Sequence, residues 1–369
     1  MKIDQIELYH LKLPLVTPFT TSFARFEEKD TIIVKILSDG LVGYGESACL
    51  GAPFYNEETV GTCLHIQEDF IAPKIIGKEI SNINQLVESY SWIRKNNFAK
   101  AGIEMAVYDL FAKSINVPLY QFLGGSKDEI TSGVSIGLKD SMPELIDFVS
   151  QCVEKNFHRY KIKIKPGKDI DLVDAIRKEF PEIPLMVDAN SAYSLNDIAL
   201  IKEFDQYNLL MIEQPLGYDD IVDHGELNKH INTPLCLDES IHSLDDLRKA
   251  ISLGSIDILN IKPGRVGGVY YAIKMHDYAK EKGIPVWCGG MLETGIGRAH
   301  NLAISTLDNF TITGDIGPTK NYYEHDIIDP EIIINPSGKI ELSNLPGIGY
   351  DIDNDKLADY SVKKVVIKS

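Results

Sequence analysis

Five charged residues in the second half of the chain recur at intervals of 24 or 25 residues, and each ends a short apolar run. They are Lys163, Asp188, Glu213, Asp238 and Lys262. If the runs are parallel strands, their ends meet at one edge of a sheet, where three carboxylates cannot all stay ionised without a counter-charge. A hard divalent cation, which prefers oxygen ligands, supplies that charge. The spacing therefore predicts a Mg²⁺ site at Asp188, Glu213 and Asp238, flanked by the two lysines.

Lysines on either side of such a site indicate proton transfer at carbon. A carboxylate substrate bound to the metal would have an acidified α-proton within reach of either lysine. Burial and a nearby cation lower the pKa of a lysine towards the range of a general base, and the metal would stabilise the enediolate. The predicted bases are Lys163 and Lys262. Asn190, two residues beyond Asp188, would support the site from the same face.

Other interpretations of these residues remain open at this point. A single Asp or Glu at a strand end most often caps a helix or faces solvent, and a barrel lysine can form a Schiff base with a carbonyl substrate. A binding or scaffold protein is a third class, although it has no need of the full set of charges. Loss of activity on chelation favours the metal, borohydride trapping favours the Schiff base, and undetectable Mg²⁺ binding favours the scaffold.

The apolar runs that carry these charges are eight in number, and an amphipathic stretch follows each of them. They are GVSIG, YKIKIK, PLMVDAN, LLMIEQP, PLCLDES, IDILNIKPG, IPVWCGG and FTITGDIG. Alternation of strand and helix predicts a parallel sheet. Eight repeats, spaced slightly more tightly than in a typical barrel of about 250 residues, predict a closed (β/α)8-type barrel with its active site at the C-terminal strand ends.

The chain on either side of the repeats has a different pattern. Residues 2–46 alternate apolar and polar side chains around glycine turns, which indicates a small antiparallel sheet, and residues 56–123 show helical periodicity. The runs EIIINP, GKIEL and VKKVVIK near the C-terminus are expected to be strands that return to the first sheet. We therefore predict an α/β protein with an α+β capping domain at 1–125, a barrel at 126–325 and a returning segment at 326–369.

The composition indicates a soluble protein that acts on a small molecule. Of the 369 residues, 54 are acidic and 37 basic, and the net charge of −17 disfavours nucleic acid and anionic membranes as partners. Five scattered cysteines without a Cys-x-x-Cys pair indicate reduced thiols. The charged N-terminal segment does not resemble a signal peptide. We expect a cytoplasmic enzyme with a small-molecule carboxylate substrate.

Short motifs surround the charged residues: Lys161-x-Lys163, Asp188-Ala189-Asn190, Glu213-Gln214-Pro215, Asp238-Glu239-Ser240 and Lys262-Pro263-Gly264-Arg265. This set resembles the enolase superfamily, and within it the muconate-lactonising subgroup. Further segments are similar to the o-succinylbenzoate synthase / N-succinylamino acid racemase branch of that subgroup, namely 18–26, 51–59, 262–268, 289–303 and 313–327. The resemblance covers essentially the whole chain.

The resemblance implies a role for each matching position. Mg²⁺, for which Mn²⁺ can substitute, would be bound by Asp188, Glu213 and Asp238. The acid/base groups on opposite faces of the substrate would be Lys163 and Lys262. The supporting residues would be Lys161, Asn190, Glu239 and Arg265. The substrate would be bordered by Ser135, Gly290, Met291 and Glu293, and covered by apolar contacts from Phe19, Phe23, Leu50 and Phe54.

The branch also implies a reaction. Dehydration of 2-succinyl-6-hydroxy-2,4-cyclohexadiene-1-carboxylate to 2-succinylbenzoate, a step of menaquinone biosynthesis, needs Lys163 alone, whereas racemisation of an N-succinylamino acid needs both lysines. The two lysines permit either reaction, and Arg265 is similar to an arginine of members that racemise. The rivals are a dipeptide epimerase, whose second eighth-strand aspartate is replaced here by Gly317, and a muconate cycloisomerase. The resemblance further implies a homo-oligomer, a dimer or an octamer.

Overall fold

In a computed structural model that describes residues 1–369, the chain begins with an antiparallel sheet. Its strands are β1 (Ile3–Thr20), β2 (Arg25–Ser38) and β3 (Leu41–Ser47). Apolar side chains on one face of β2 pack against the helices that follow, among them the buried Ile32, Val34 and Ile36. Those helices are α1 (Val60–Ile66), α2 (Ala72–Ile75), α3 (Ile83–Ser89), α4 (Asn97–Ser114) and α5 (Leu119–Phe122), with a π-helical turn at Gln67–Ile71. The predicted antiparallel sheet and helical region are both present.

A curled parallel sheet of seven strands follows, and a helix follows nearly every strand. The strands, in their spatial order, are β5 (Val134–Ile136), β6 (Tyr160–Lys163), β7 (Leu185–Asp188), β8 (Ile212–Glu213), β9 (Leu235–Leu237), β10 (Ile258–Ile261) and β11 (Val286–Cys288). The helices are α6 (Met142–Glu154), α7 (Ile170–Glu179), α8 (Ile198–Lys202), α9 (Val222–Leu227), α10 (Leu244–Leu253), α11 (Pro263–Val266), α12 (Val269–Glu281) and α13 (Gly295–Ser305). This arrangement confirms the predicted (β/α)8-type fold.

The eighth apolar run closes the barrel without forming a continuous strand. It is joined to β11 by a parallel bridge between Val286 and Phe310, and to the start of the barrel by one between Ser132 and Gly314. The backbone N–H of Asp315 also donates to the carbonyl of Cys288 at 2.9 Å. A Cβ on Gly314 would lie 2.6 Å from that same carbonyl oxygen, so the close approach of the two segments requires glycine here.

The C-terminal segment differs in part from the expectation. Only its last strand, β15 (Ser361–Lys368), joins the first sheet, where it pairs antiparallel with β1. The run GKIEL forms β13 (Lys339–Glu341), which pairs instead with β4 (Glu129–Thr131), just before the barrel. The run EIIINP is not a strand, and the remaining elements are β12 (Ile328–Asp329), β14 (Asp351–Ile352) and α14 (Asn354–Asp359). The prediction that all three runs return to the first sheet is therefore wrong for two of them.

Two buried carboxylates of the N-terminal half accept hydrogen bonds from the first turns of barrel helices. Glu104 of α4 accepts from the backbone N–H groups of Val269 and Tyr270, both at 2.7 Å, where α12 begins. Glu46 of β3 accepts from the N–H of Thr294 and of Gly297, each at 3.0 Å, where α13 begins. The first N–H groups of a helix have no acceptor within it, and these carboxyl groups supply one. These contacts join the capping elements to the helices that follow the sixth and seventh strands of the barrel.

None of the helices combines the length and the apolar character required to span a membrane. The five cysteines are all buried and unpaired.

Candidate active site

The five regularly spaced charges lie together at the C-terminal edge of the parallel sheet. Lys163 pairs in register with Asp188, and Asp188 pairs in register with Glu213. Asp238 directly follows β9, and Lys262 directly follows β10. Each of the five is at most 6% exposed. The two lysines end the second and the sixth strands, so in a ring of eight positions they face each other across the barrel.

On one side, Lys163 is bound by oxygens from the next strand. Its Nζ donates to Asp188 Oδ2 and to Asn190 Oδ1, both at 2.6 Å. Asn190 in turn donates from Nδ2 to Glu239 Oε1 at 2.8 Å, while Glu239 Oε2 is buried and has no partner. Burial, together with the charge of Asp188, raises the pKa of Glu239 to about 7.

On the other side, Lys262 is paired with Asp238. Its Nζ lies 2.7 Å from Asp238 Oδ2 and 4.6 Å from the centre of the Tyr55 ring. The Tyr55 hydroxyl donates to Asp238 Oδ1 at 2.8 Å, and Arg265 forms an ion pair with the same oxygen. Burial opposes the charge of Lys262, but Tyr55 and the carboxylates nearby, Glu239 first among them, raise its pKa above the ordinary value. Arg265 thus contacts Asp238 rather than Lys262.

Lys161 lies between three carboxylates. Its Nζ is 2.5 Å from Asp315, 3.1 Å from Glu213 and 3.3 Å from Asp188. Burial alone would lower the pKa of Lys161, but these three partners more than offset it and raise the pKa above its usual range. At Asp315, burial alone would raise the pKa of the carboxyl. The positive charges of Arg159 and Lys161 outweigh burial and lower that pKa to about 2.

The donor chemistry of this edge fits a hard divalent cation. Asp188, Glu213 and Asp238 supply only carboxylate oxygens, on adjacent strands, and each is at most 1% exposed. No three acidic, histidine or cysteine side chains converge on a single point suited to an ion. The ammonium groups of Lys161, Lys163 and Lys262 contact these carboxylates instead. Burial and the charge of Asp188 raise the pKa of Glu213. A bound dication would offset the repulsion between the Glu213 and Asp188 carboxylates, as expected of oxygen ligands that share one metal ion.

A cavity of about 80 Å³ opens above these charges, and both catalytic candidates line it. Of the residues predicted to border the substrate, seven line the cavity: Phe19, Phe23, Leu50, Ser135, Gly290, Met291 and Glu293. Phe54 does not. It is 54% exposed and stacks on the outer side of Phe23, with ring centres 6.3 Å apart. Phe54 therefore packs against a lid residue instead of facing the cavity.

Several residues of the site were absent from the sequence prediction. Tyr55 contacts both Asp238 and Lys262, and Asn260 donates from Nδ2 to Glu213 Oε1 at 2.7 Å. The remaining cavity residues outside the prediction are Thr21, Phe26, Leu292, Arg298, Asp315 and Tyr322. Asn260 lies two residues before Lys262 and therefore on the same face of the strand. This spacing is visible in the sequence and could have predicted Asn260 as a site residue.

The chain matches known proteins over almost its full length. A model described as "Enolase C-terminal domain-like" matches residues 144–356, and the "Mandelate racemase / muconate lactonizing enzyme, N-terminal domain" matches residues 5–124. The o-succinylbenzoate synthase of Geobacillus kaustophilus is 48% identical, over 98% of this chain and 96% of that protein. The N-succinylamino acid racemase of Thermus thermophilus is 41% identical, over 95% of each chain.

Solved structures agree with this result. An enolase superfamily member from Listeria innocua superposes with a TM-score of 0.96 at 41% identity, covering 100% of this chain and 99% of that one. A dipeptide epimerase from Cytophaga hutchinsonii, complexed with Mg and a dipeptide, gives a TM-score of 0.92 at 26% identity and full coverage of both chains. With two domain models that span both halves, and with relatives this similar, the chain belongs to the enolase superfamily, in its mandelate racemase / muconate lactonizing enzyme family.

Proposed function

We propose that the protein is an o-succinylbenzoate synthase. It dehydrates 2-succinyl-6-hydroxy-2,4-cyclohexadiene-1-carboxylate to 2-succinylbenzoate for menaquinone biosynthesis in the cytoplasm, and it also racemises N-succinylamino acids. The observation that carries the proposal is the pair Lys163 and Lys262, which face one cavity from opposite strands above three strand-end carboxylates. The names of relatives at 46–49% identity favour the synthase as the main activity.

Enzymes of this superfamily bind Mg²⁺ generally, as in the epimerase complexed with Mg. In this chain Asp188, Glu213 and Asp238 would hold Mg²⁺, or Mn²⁺ in its place. When bound, the ion supplies a Lewis acid for the substrate carboxylate and stabilises the negative charge that develops when the α-proton leaves. Asn190, Glu239 and Arg265 support the ligands and the bases through the contacts described above, and Lys161 contacts two of the ligands.

The dehydration needs one proton carrier. Neutral Lys163 takes the α-proton on Nζ, and the resulting ammonium returns that proton to the departing hydroxyl, which leaves as water on the same face. Lys262 keeps its proton and stabilises the negative charge from the opposite side. Phe19, Phe23, Leu50 and Met291 exclude water from the cavity above the reacting carbon, while Ser135, Gly290 and Glu293 border the substrate.

Racemisation uses the same first step and then the second lysine. After Lys163 removes the α-proton from one face, the Lys262 ammonium donates a proton to the other, and the roles reverse for the opposite enantiomer. The position of the two lysines on opposite strands supports this activity, as does the racemase from Thermus thermophilus at 41% identity.

Dipeptide epimerisation is less well supported. A substrate ammonium group would need a free carboxylate at the eighth run, where Asp315 stands. Both of its oxygens are already paired, Oδ1 with Arg159 and Oδ2 with Lys161, and Gly317 offers no second carboxylate. The segments after the seventh and eighth runs likewise resemble the succinylbenzoate branch more than a muconate cycloisomerase.

The purified protein with Mg²⁺ tests the proposal. We expect it to form 2-succinylbenzoate, monitored by absorbance, and to racemise N-succinylamino acids at a lower kcat/KM. The variant Lys163→Ala should lose both reactions by several orders of magnitude, while Lys202→Ala, at an exposed lysine of α8, should behave as the wild type. Failure to form succinylbenzoate while another carboxylic acid reacts efficiently would reject the synthase assignment, and retained activity in Lys163→Ala would reject the base.

A further inference from the structure

The Lys161 ammonium contacts carboxylate oxygens of the proposed metal ligands. Two of its three carboxylate partners, Glu213 at 3.1 Å and Asp188 at 3.3 Å, belong to the ligand set. The third and nearest partner, Asp315 at 2.5 Å, lies outside that set. Lys161 is only 3% exposed, so the nearby carboxylates are the main compensation for its charge. A buried ammonium and a dication in this space therefore compete for the same oxygens.

Asp315 is held firmly enough to act as the counter-ion of Lys161. Its Oδ1 forms an ion pair with Arg159, which leaves Oδ2 for Lys161. The Arg159 guanidinium lies 4.5 Å from the centre of the Trp287 ring and donates to Met186 Sδ at 2.6 Å. Both Arg159 and Trp287 are fully buried. Each carboxylate oxygen thus has its own cation, and a substrate group would find neither oxygen free.

We propose that Asp315 is a positioning residue that draws the Lys161 ammonium towards the eighth run and so keeps Asp188 and Glu213 available to the metal. The inference rests on the metal assignment of the proposed function. Without the charge of Asp315, the two ligand carboxylates are the only counter-ions left to the ammonium, apart from its contact with the Trp287 ring. The ammonium then pairs with them more closely, because a buried charge without a counter-ion is costly. Metal binding then has to displace that pair.

The variant Asp315→Asn tests this in the full-length protein. It keeps the size of the side chain but leaves one acceptor oxygen for two cations. After metal removal with EDTA and dialysis, isothermal titration with Mg²⁺ alone should give a Kd raised about 10- to 100-fold, the range typical of lost outer partners in metal sites. The same substitution in a Lys161→Met background should leave the Kd unchanged, because no ammonium remains to be released.

Two results would overturn the proposal: a Kd for Mg²⁺ that Asp315→Asn leaves unaltered, or one that rises equally in both backgrounds. If Asp315→Asn does not fold, as judged by circular dichroism, the Mg²⁺ affinity of the Lys161→Met variant tests the proposal. It should bind Mg²⁺ at least as tightly as the wild type, and weaker binding contradicts the role of Lys161 as a competitor. A wild-type protein that binds no Mg²⁺ rejects the metal assignment itself, which separates that failure from a failure at Asp315.

Discussion

The carboxylate of Asp238 has three side-chain partners, and one of them comes from outside the barrel. Lys262 and Arg265 belong to the segment after the sixth strand, whereas Tyr55 lies in the loop before α1. The Tyr55 hydroxyl fixes Asp238, and its ring lies beneath the Lys262 ammonium. A capping-domain residue therefore orients both the proposed ligand and the proposed base on one side of the site.

The variant Tyr55→Phe separates the two reactions. It retains the ring but removes the hydrogen bond to a charged group, which is worth about 1.5–3 kcal/mol. We expect racemisation, which needs Lys262 as a proton carrier, to fall at least tenfold in kcat. Dehydration, which relies on Lys163, should change much less. The measurement is the rate of both reactions, with exchange of the α-proton in deuterated solvent for each enantiomer.

Tyr218→Phe is the matched control, because Tyr218 is 49% exposed and takes part in none of these contacts. Equal losses of dehydration and racemisation in Tyr55→Phe would show that the hydroxyl acts through Asp238 and not through Lys262, and no loss in either would contradict its role in the site.

The charged residues of the site were predictable because strand geometry places them. Alternating side chains of a strand share a face, so a charge at each strand end converges with the others. Arg159 lies two residues before Lys161 and Asn260 two residues before Lys262, and the same rule could have found both. Tyr55 and Asp315 had no comparable pattern, because their contacts arise only when a loop of the capping domain and the eighth run fold over the strand ends.

At the level of secondary structure, prediction succeeded where the hydrophobic pattern alone determines the outcome. Seven of the eight apolar runs are strands, since each must bury both faces between the barrel interior and a helix. The eighth run touches its neighbours through single bridges, one of them at Gly314. The run GKIEL is a strand, but its partner is Glu129–Thr131. Strand propensity is a local property, whereas the choice of partner depends on which free edge lies nearby.

Glu104 gives the stability of the fold a specific pH dependence. Its carboxyl is fully buried, and burial raises its pKa to about 8, despite the two backbone N–H groups that it accepts from. The folded state therefore binds one more proton than the unfolded state at pH values between about 4.5 and 8. This contribution to stability is complete below the unfolded pKa and is lost as the pH rises through the folded one.

We expect the free energy of unfolding to fall with rising pH in that window, by up to about 1.4 kcal/mol per pH unit from this group. The side chain in Glu104→Gln does not titrate, so the free energy of unfolding of this variant should depend less on pH. Urea denaturation of both proteins between pH 5 and pH 8 measures it. Glu154→Gln, at an exposed position of α6, is the control and should retain the wild-type slope. A parallel slope in Glu104→Gln would show that other groups cause the dependence.

For the molecule as a whole, the metal should act as a stabilising ligand. A cation that binds the native state but not the unfolded chain adds about 2.7 kcal/mol when its concentration is 100 times the Kd. The three carboxylates belong to successive strands or follow them directly, so a bound ion would join three separate segments of the chain. We expect EDTA to lower the melting temperature by a few degrees, and excess Mg²⁺ to restore it.

Differential scanning fluorimetry of the wild type and of Glu213→Gln checks this expectation. The variant should melt at the same temperature with EDTA and with Mg²⁺. A wild-type melting temperature that is indifferent to Mg²⁺ would argue against a metal site at the strand ends.

The carboxylates of Glu46 and Glu104 have an implication for how such proteins can be recombined. Each belongs to the first 125 residues of the chain and finds its hydrogen-bond donors in a helix start of the second half. In a chimera that joined this N-terminal region to the barrel of a distant relative, Glu104 would be buried without these donors and Glu46 would keep only the Thr31 hydroxyl, unless the new helix starts matched them. Exchange between lineages is therefore restricted to pairs whose loops after the sixth and seventh strands are compatible with both glutamates.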